Sequence, residues 1–279
     1  MTVPSFATVV KEWRDAVYSP YRWVPAQNSK IQAGEAGGFE VEAEGAAFRG
    51  YLKPTKICEE NHPRAAHEKI ASDLAFELGV CVPPVVLYQR EDVPTNPDRS
   101  PAQERCACVS LILFKEKWEW QEVLNFSAMS PLMRAIISSK MAQCSGAVVL
   151  DLLLGQTDRN NARNVVFGTD PAEPESGRFL FLDFANTMNM GDQWANGKWK
   201  EIKDPGFPEV MTKSVSKAVL KETVDKMRAL HPETIEQIIS RIEHPFLSER
   251  YKGILMDAIK GRQGLVVDYV NTRYLGGGG

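Results

Sequence analysis

The run Val149-Leu150-Asp151-Leu152-Leu153-Leu154-Gly155-Gln156-Thr157-Asp158-Arg159-Asn160-Asn161-Ala162-Arg163-Asn164-Val165-Val166-Phe167 changes character twice. An apolar, helix-like segment ends at Gly155, a knot of charged and amide residues follows, and a β-branched and aromatic segment resumes at Val165. The pattern predicts a helix, a polar loop and a strand. A plain turn needs only a residue or two of special backbone geometry. Here Asp158, Arg159, Asn160, Asn161, Arg163 and Asn164 crowd one loop, and a second acid, Asp183, ends the next strand-like run, Phe179-Leu180-Phe181-Leu182-Asp183. Oxygen ligands of this kind suit Mg²⁺ held together with substrate phosphates. Phosphoryl transfer is the chemistry they suggest.

Composition sets the outer limits. A chain of 279 residues with 43% hydrophobic content has room for one large domain or two lobes around a sizeable core. A net charge of −3 and a pI near 5.9 imply no general attraction to nucleic acid or to an anionic membrane. The five cysteines are scattered, and Cys106-Ala107-Cys108 in a strand lacks the second ligand pair that zinc would need. Buried free thiols in a reducing compartment are expected. The N-terminus meets charge too early for a secretory signal, and no run approaches transmembrane length. The expected location is cytoplasmic, or that of an effector secreted without a signal. Gly276 to Gly279 reads as a flexible tail.

Working back from the polar loop, residues 5–17 place Val9, Trp13, Ala16 and Val17 at helical spacing. Residues 29–54 read as successive strands with turns at Gly34, Gly37, Gly38 and Gly45. Gly37 and Gly38 could bring backbone amides close to phosphate, or could serve only as turn residues. Lys53 ends the last of these strands, where its ammonium could reach a phosphate or simply be solvated. The following segment, Pro63 to Gly79, is a helix with Ala66, Ile70, Leu74 and Leu78 on one stripe and Gly79 as C-cap. Glu68 lies near its inner edge and can pair with Lys53, while Lys69 and Asp73 are expected to face out. Val80 to Tyr88 reads as a strand, Glu91 to Glu104 as a polar loop and Cys106 to Phe114 as a buried strand.

At Leu113-Phe114-Lys115-Glu116 two lobes would join, with backbone groups there available to an adenine ring. Trp118 to Phe126 reads as helical, and Ser130-Pro131 forms an N-cap and first-turn pair for helices running on to Leu154. Met188 to Pro208 is irregular, with Trp194 and Trp199. Helices are expected at Ser214–Leu230, Pro232–Ile242, Ser248–Ile259 and Gly264–Tyr274.

The order Lys53 on a strand, Glu68 on a helix, a hinge, a helical lobe, the Asp158 loop and Asp183 resembles the protein-kinase-like fold. Its atypical branch, with HipA-like, phosphoinositide and actin-fragmin kinases, fits best. Gly155-Gln156-Thr157-Asp158-Arg159-Asn160 is similar to that branch's G-N-T-D-x-H and G-D-R-H loops, and Leu182-Asp183-Phe184-Ala185 to its I-D-F-G metal motif. The segment from His67-Glu68 to Val82-Pro83 resembles the HipA-type helix that ends in G-I-x-V-P. The resemblance spans about residues 30–190.

It implies an α+β bilobal fold: residues 1–114 as an N-terminal antiparallel sheet with one helix, 115–275 as a mainly helical lobe, and 276–279 as the tail. It implies ATP and Mg²⁺ as cofactors, with Lys53 on the α- and β-phosphates, Glu68 orienting Lys53, Asp158 positioning or deprotonating the acceptor hydroxyl, and Asn164 and Asp183 on Mg²⁺. Gly37, Gly38, Phe114, Lys115 and Arg163 complete the expected nucleotide contacts. The expected acceptor is Ser or Thr of a protein; a lipid or small molecule, nucleotidyl transfer, and an inactive binding module are the alternatives. The family's loop Asn stands five positions after its Asp, where this chain has Arg163, so Asn164 is taken for that role with Asn161 as its substitute. Arg159 and Arg163 could neutralise phosphate or pair with a structural carboxylate.

Overall fold

The computed structural model describes residues 6–27, 38–54, 63–89, 106–125, 130–170, 173–188, 192–207 and 214–276. Gly34, Gly37, the Glu91–Glu104 loop and the last three glycines of the tail lie outside the described residues.

Helix α1 (Phe6–Asp15) precedes an antiparallel sheet of five strands: β1 (Trp23–Pro25), β2 (Phe39–Ala43), β3 (Arg49–Pro54), β4 (Val85–Gln89) and β5 (Cys106–Leu111). Their order across the sheet is β1-β2-β3-β5-β4. Side-chain alternation divides β4 and β5 between two cores. Val86, Tyr88, Ala107, Val109 and Leu52 point to one face, where Trp13 of α1 packs. Val85, Leu87, Cys106 and Cys108 point to the other, against helix α2 (Arg64–Leu78). In the β3–β5 register Lys53 stands opposite Cys108, on the α2 side of the sheet.

Val80 to Pro84 is not strand, contrary to expectation, and pairing begins only at Val85. Neither Pro83 nor Pro84 has an N–H to offer a ladder, and their carbonyls instead accept from Ser72 Oγ at 2.9 Å and Leu111 N at 2.9 Å.

Helix α2 departs furthest from its sequence reading. It is enclosed by α1, by β4 and β5, and by helices of the C-terminal region, and Lys69 and Asp73, expected to face out, are both fully buried. The reason is charge pairing across the packing interfaces. Lys69 Nζ donates to the carbonyls of Trp13 (3.2 Å) and Arg14 (3.1 Å) and to Asp73 Oδ1 (3.0 Å), and Arg241 Nη2 reaches Asp73 Oδ2 at 2.6 Å. The orphan carbonyls at the end of α1 are thus capped by cations from other elements.

Beyond Ile112–Lys115 the chain enters a small antiparallel sheet, β6 (Glu116–Glu119), β7 (Val165–Asp170) and β8 (Glu173–Phe181), in the order β6-β7-β8. The expected helix at Trp118 is therefore confined to α3 (Trp120–Leu124). Pairing of Trp118 with Phe167 across β6 and β7 overrides the local helical pattern. Ser130 Oγ accepts from Met133 N at 3.2 Å and starts α4 (Pro131–Lys140), which a 3₁₀ turn joins to α5 (Cys144–Leu154). The run Pro131–Leu154 is long and apolar enough to cross a membrane, although none was expected to be, but its most apolar window is 67% buried within the protein. Its α5 part, buried throughout, is the central core element, while α4 buries only Ile136 and Ile137.

After a short helix α6 (Asp192–Ala195) come α7 (Lys217–Ala229), α8 (Pro232–Ser240) and α9 (Glu249–Val270). Helix α9 replaces the two expected helices at 248–259 and 264–274, because it runs unbroken through Gly261 and Gly264. Gly261 is needed there: a Cβ at that position would lie 2.4 Å from the Trp199 ring.

Candidate active site

Gly155 closes α5 in the left-handed conformation (φ 67°), and its N–H and that of Gln156 return to the last turn. The chain is thereby turned sharply into the polar loop. Gln156 is buried: its Oε1 accepts from Thr157 N (3.0 Å) and Asp158 N (3.1 Å), and its Nε2 donates to the carbonyl of Asp183 (2.8 Å). Because backbone N–H groups only donate and carbonyls only accept, these three bonds fix the orientation of the amide.

Arg159 is also wholly buried. It forks onto Asp151 of α5 with two contacts of 2.8 Å, and its Nη1 donates to the carbonyls of Asn164 and Leu182, each at 2.8 Å. Its guanidinium lies 4.9 Å from the Phe184 ring. Of the two roles open to Arg159, the structural carboxylate is the one realised. Burial raises the pKa of Asp151, and the Arg159 guanidinium opposes that rise.

Asn164 is 3% exposed and its Nδ2 donates to the Asp158 carbonyl at 3.0 Å, with Asp158 Oδ2 at 3.4 Å. The amide oxygen is then the end left for a cation. Asn161, the substitute considered for it, uses its Oδ1 to accept from Arg163 N at 3.2 Å, capping the 3₁₀ turn Ala162–Asn164.

Asp183 adopts φ 60°, a left-handed conformation that costs a non-glycine residue roughly 1–3 kcal/mol. The carbonyls around it are held by Gln156 and Arg159, as above, and His67 Nδ1 of α2 lies 3.3 Å from the carbonyl of Ala185. The Asp183 carboxylate, 39% exposed, is presented to a cavity of about 520 Å³.

From the opposite wall Lys53 Nζ lies 2.5 Å from Glu68 Oε1 and 3.3 Å from Asp183 Oδ1. Burial works to discharge the Lys53 ammonium, but the Glu68 and Asp183 carboxylates outweigh it and hold its pKa above the ordinary lysine value. Gly38, Phe114, Lys115, Asp158, Arg163 and Asn164 line the same cavity, so every expected site residue among the described ones borders it. Val82, Val85, Leu111, Val166 and Phe181 add apolar surface to its lining. Lys115 is engaged by Asp170 Oδ2 at 2.9 Å. At Gly38 a Cβ would lie 2.6 Å from the Tyr51 ring, so packing against Tyr51 explains that glycine.

Among the described residues no group of three or more His, Cys, Asp or Glu side chains forms a metal cage. One carboxylate and one amide oxygen beside a cavity fit Mg²⁺ of the kind that completes its shell with water and substrate phosphate.

The segment flanking the loop is anchored by a residue that the sequence reading did not single out. Arg262 of α9 donates to the carbonyls of Leu152, Leu153, Trp199 and Glu201, so one cation caps α5 and pins residues 199–201 beside it. Burial lowers the Arg262 pKa to about 10. No local pattern marks Asp151 or Arg262; Gln156 stands inside the loop motif, but its bond to the Asp183 carbonyl spans 27 residues of chain.

No protein-family model matches the sequence, and no curated protein matches it significantly. Similar solved structures exist. A Helicobacter pylori proinflammatory kinase, CtkA, superposes with a TM-score of 0.59 at 14% identity, over 94% of this chain and 99% of that one. The open conformation of CtTel1 superposes with a TM-score of 0.50 at 10% identity, over 91% of this chain and 13% of that one. At these identities the likeness concerns the fold, and the fold is that of a kinase.

Proposed function

We propose that this chain is an ATP- and Mg²⁺-dependent phosphotransferase that moves the γ-phosphate to a hydroxyl, with Ser or Thr of a protein as acceptor. The observation that carries the reading is the convergence, on one cavity, of the Lys53–Glu68 pair, Asp183 and the Asp158–Asn164 pair. A scaffold has no chemical need for a lysine held charged between two carboxylates. In this reading residues up to 114 form one lobe and those from 115 the other, and the apolar part of the cavity lining receives adenine near Phe114.

Lys53 neutralises phosphate charge, and Glu68 keeps its ammonium aimed at the cavity. Asp158 accepts the proton of the attacking hydroxyl. Asn164 and Asp183 would hold Mg²⁺, which when bound neutralises charge on the transferring phosphoryl group. Arg163, exposed on the cavity wall, adds a further cation for phosphate.

A protein acceptor is favoured over an anionic lipid by the state of the lysines next to the loop. Among the described residues, Lys203 lies 3.6 Å from Glu201 and Lys200 sits 5.5 Å from the Trp199 ring, so two of the three lysines there have local partners.

Incubation with [γ-³²P]ATP, Mg²⁺ and a generic acceptor protein tests the reading against Asp158→Ala and Asp183→Ala. Label is expected on Ser or Thr of the acceptor or of the chain itself, and is lost in both variants. Transfer of α-label instead would make this a nucleotidyltransferase. Absence of any transfer, together with calorimetry showing no nucleotide binding, would leave a binding module.

A further inference from the structure

We infer that Gln156 is a positioning residue, which sets the separation between the acid of the loop, Asp158, and the acid of the neighbouring strand end, Asp183. The inference rests on the phosphotransfer reading for its catalytic meaning, and on geometry for its substance. Two carboxylates with different tasks must stand a fixed distance apart if a hydroxyl and a phosphoryl group are to meet in line. Asp158 and Asp183 are on separate segments, and a small relative slide would misplace one without disturbing the other.

One side chain spans the gap. Gln156 accepts the N–H groups of Thr157 and Asp158 with its oxygen and donates from its nitrogen to the Asp183 carbonyl. It is 1% exposed, so water does not compete for these bonds. The donated bond also ends on a non-glycine residue held in the left-handed conformation. Arg159 braces the same segments at the carbonyls of Asn164, just before β7, and Leu182, just after β8, but its side chain hydrogen-bonds neither Asp158 nor Asp183. Gln156 is therefore the direct tie between the two acids' own backbones.

The two halves of the amide can be separated by substitution. Gln156→Glu keeps an oxygen for the two N–H groups and removes the donor to Asp183. Gln156→Met keeps the length and removes both. Gln156→Asn keeps both groups on a shorter arm.

Melting temperature, steady-state constants, Mg²⁺ dependence and amide exchange at Thr157 and Asp158 are measured for each. In Gln156→Glu, kcat should fall about 10- to 100-fold, as expected for a misplacement on the order of 1 Å, with little change in the KM for ATP and with protection of the two amides retained. A higher Mg²⁺ concentration should be needed for half-maximal activity. In Gln156→Met both amides should exchange faster.

If Gln156→Glu and Gln156→Asn fold and keep the wild-type kcat and Mg²⁺ dependence while Asp158→Ala is dead, the positioning role is wrong and the phosphotransfer reading stands. If the wild type transfers no phosphate, that reading fails, and amide exchange alone decides: unchanged protection at Thr157 and Asp158 in Gln156→Met overturns the tie.

Discussion

Arg159 and Asp151 face each other through two contacts of 2.8 Å, and neither side chain reaches solvent. Eight residues apart in sequence, they bind the underside of the polar loop to the core helix α5. Removing one partner of such a pair leaves a buried charge without compensation, which typically costs about 3–5 kcal/mol. Arg159→Met should therefore lose roughly that much stability at neutral pH in urea unfolding. With its cation gone, Asp151 would hold its proton to higher pH than in the unfolded chain, so the variant's deficit should shrink as pH falls. A deficit that is constant between pH 5 and 8 would contradict this.

Lys53 lies between Glu68 and Asp183, at 2.5 and 3.3 Å. Loss of a preorganised charge at a reacting phosphate typically costs about 10²–10³ in rate. Lys53→Met should fall by that order in phosphotransfer, and Glu68→Gln by less, since it frees the ammonium without deleting it. Equal rates for Lys53→Met and wild type would remove Lys53 from the chemistry.

Lys69 is buried beside Asp73, with Arg241 and Arg14 close by, and burial lowers its pKa from 10.5 to about 8 despite the pull of Asp73. Between those values the unfolded chain carries a proton on Lys69 that the folded chain has released, so stability rises with pH through this window. Compared with Lys69→Met, the wild type should gain up to roughly 3 kcal/mol between pH 8 and 10.5. Cysteine and tyrosine titrations common to both proteins cancel in the difference. Denaturant unfolding at several alkaline pH values measures it, and a difference that does not change with pH would refute the shift.

The glycines of α9 should behave in opposite ways. A Cβ at Gly253 meets nothing within 4 Å, so Gly253→Ala should stabilise by about 0.5–1 kcal/mol through helix propensity. At Gly261 the Trp199 ring lies 2.4 Å from the Cβ position, and Gly261→Ala should cost about 1–3 kcal/mol by overpacking. Melting temperatures of the two variants should move apart on either side of wild type.

Much of the site was legible because its chemistry is local. An acid and an amide within one loop, a lysine at a strand end and a glutamate near the apolar stripe of a helix are visible in short windows, as are caps such as Ser130-Pro131, Gly79 and Gly155. The segments that were misread are those where a partner decided the outcome. Trp118 became strand through pairing with Phe167, and Gly261 is tolerated within a 22-residue helix because Trp199 occupies the space beside it.

The sequence by itself determined the composition of the polar loop and the order in which Lys53, Glu68, Asp158, Asn164 and Asp183 follow one another, since residue type and spacing are covalent facts. Tertiary structure alone decided that Gln156 joins the two acids, that Arg159 serves Asp151, and that Lys69 and Asp73 are core rather than surface. Periodicity describes one face of one element. Arg241, which meets Asp73 across 168 residues of chain, is set in place only when α8, which ends just before it, packs on α2.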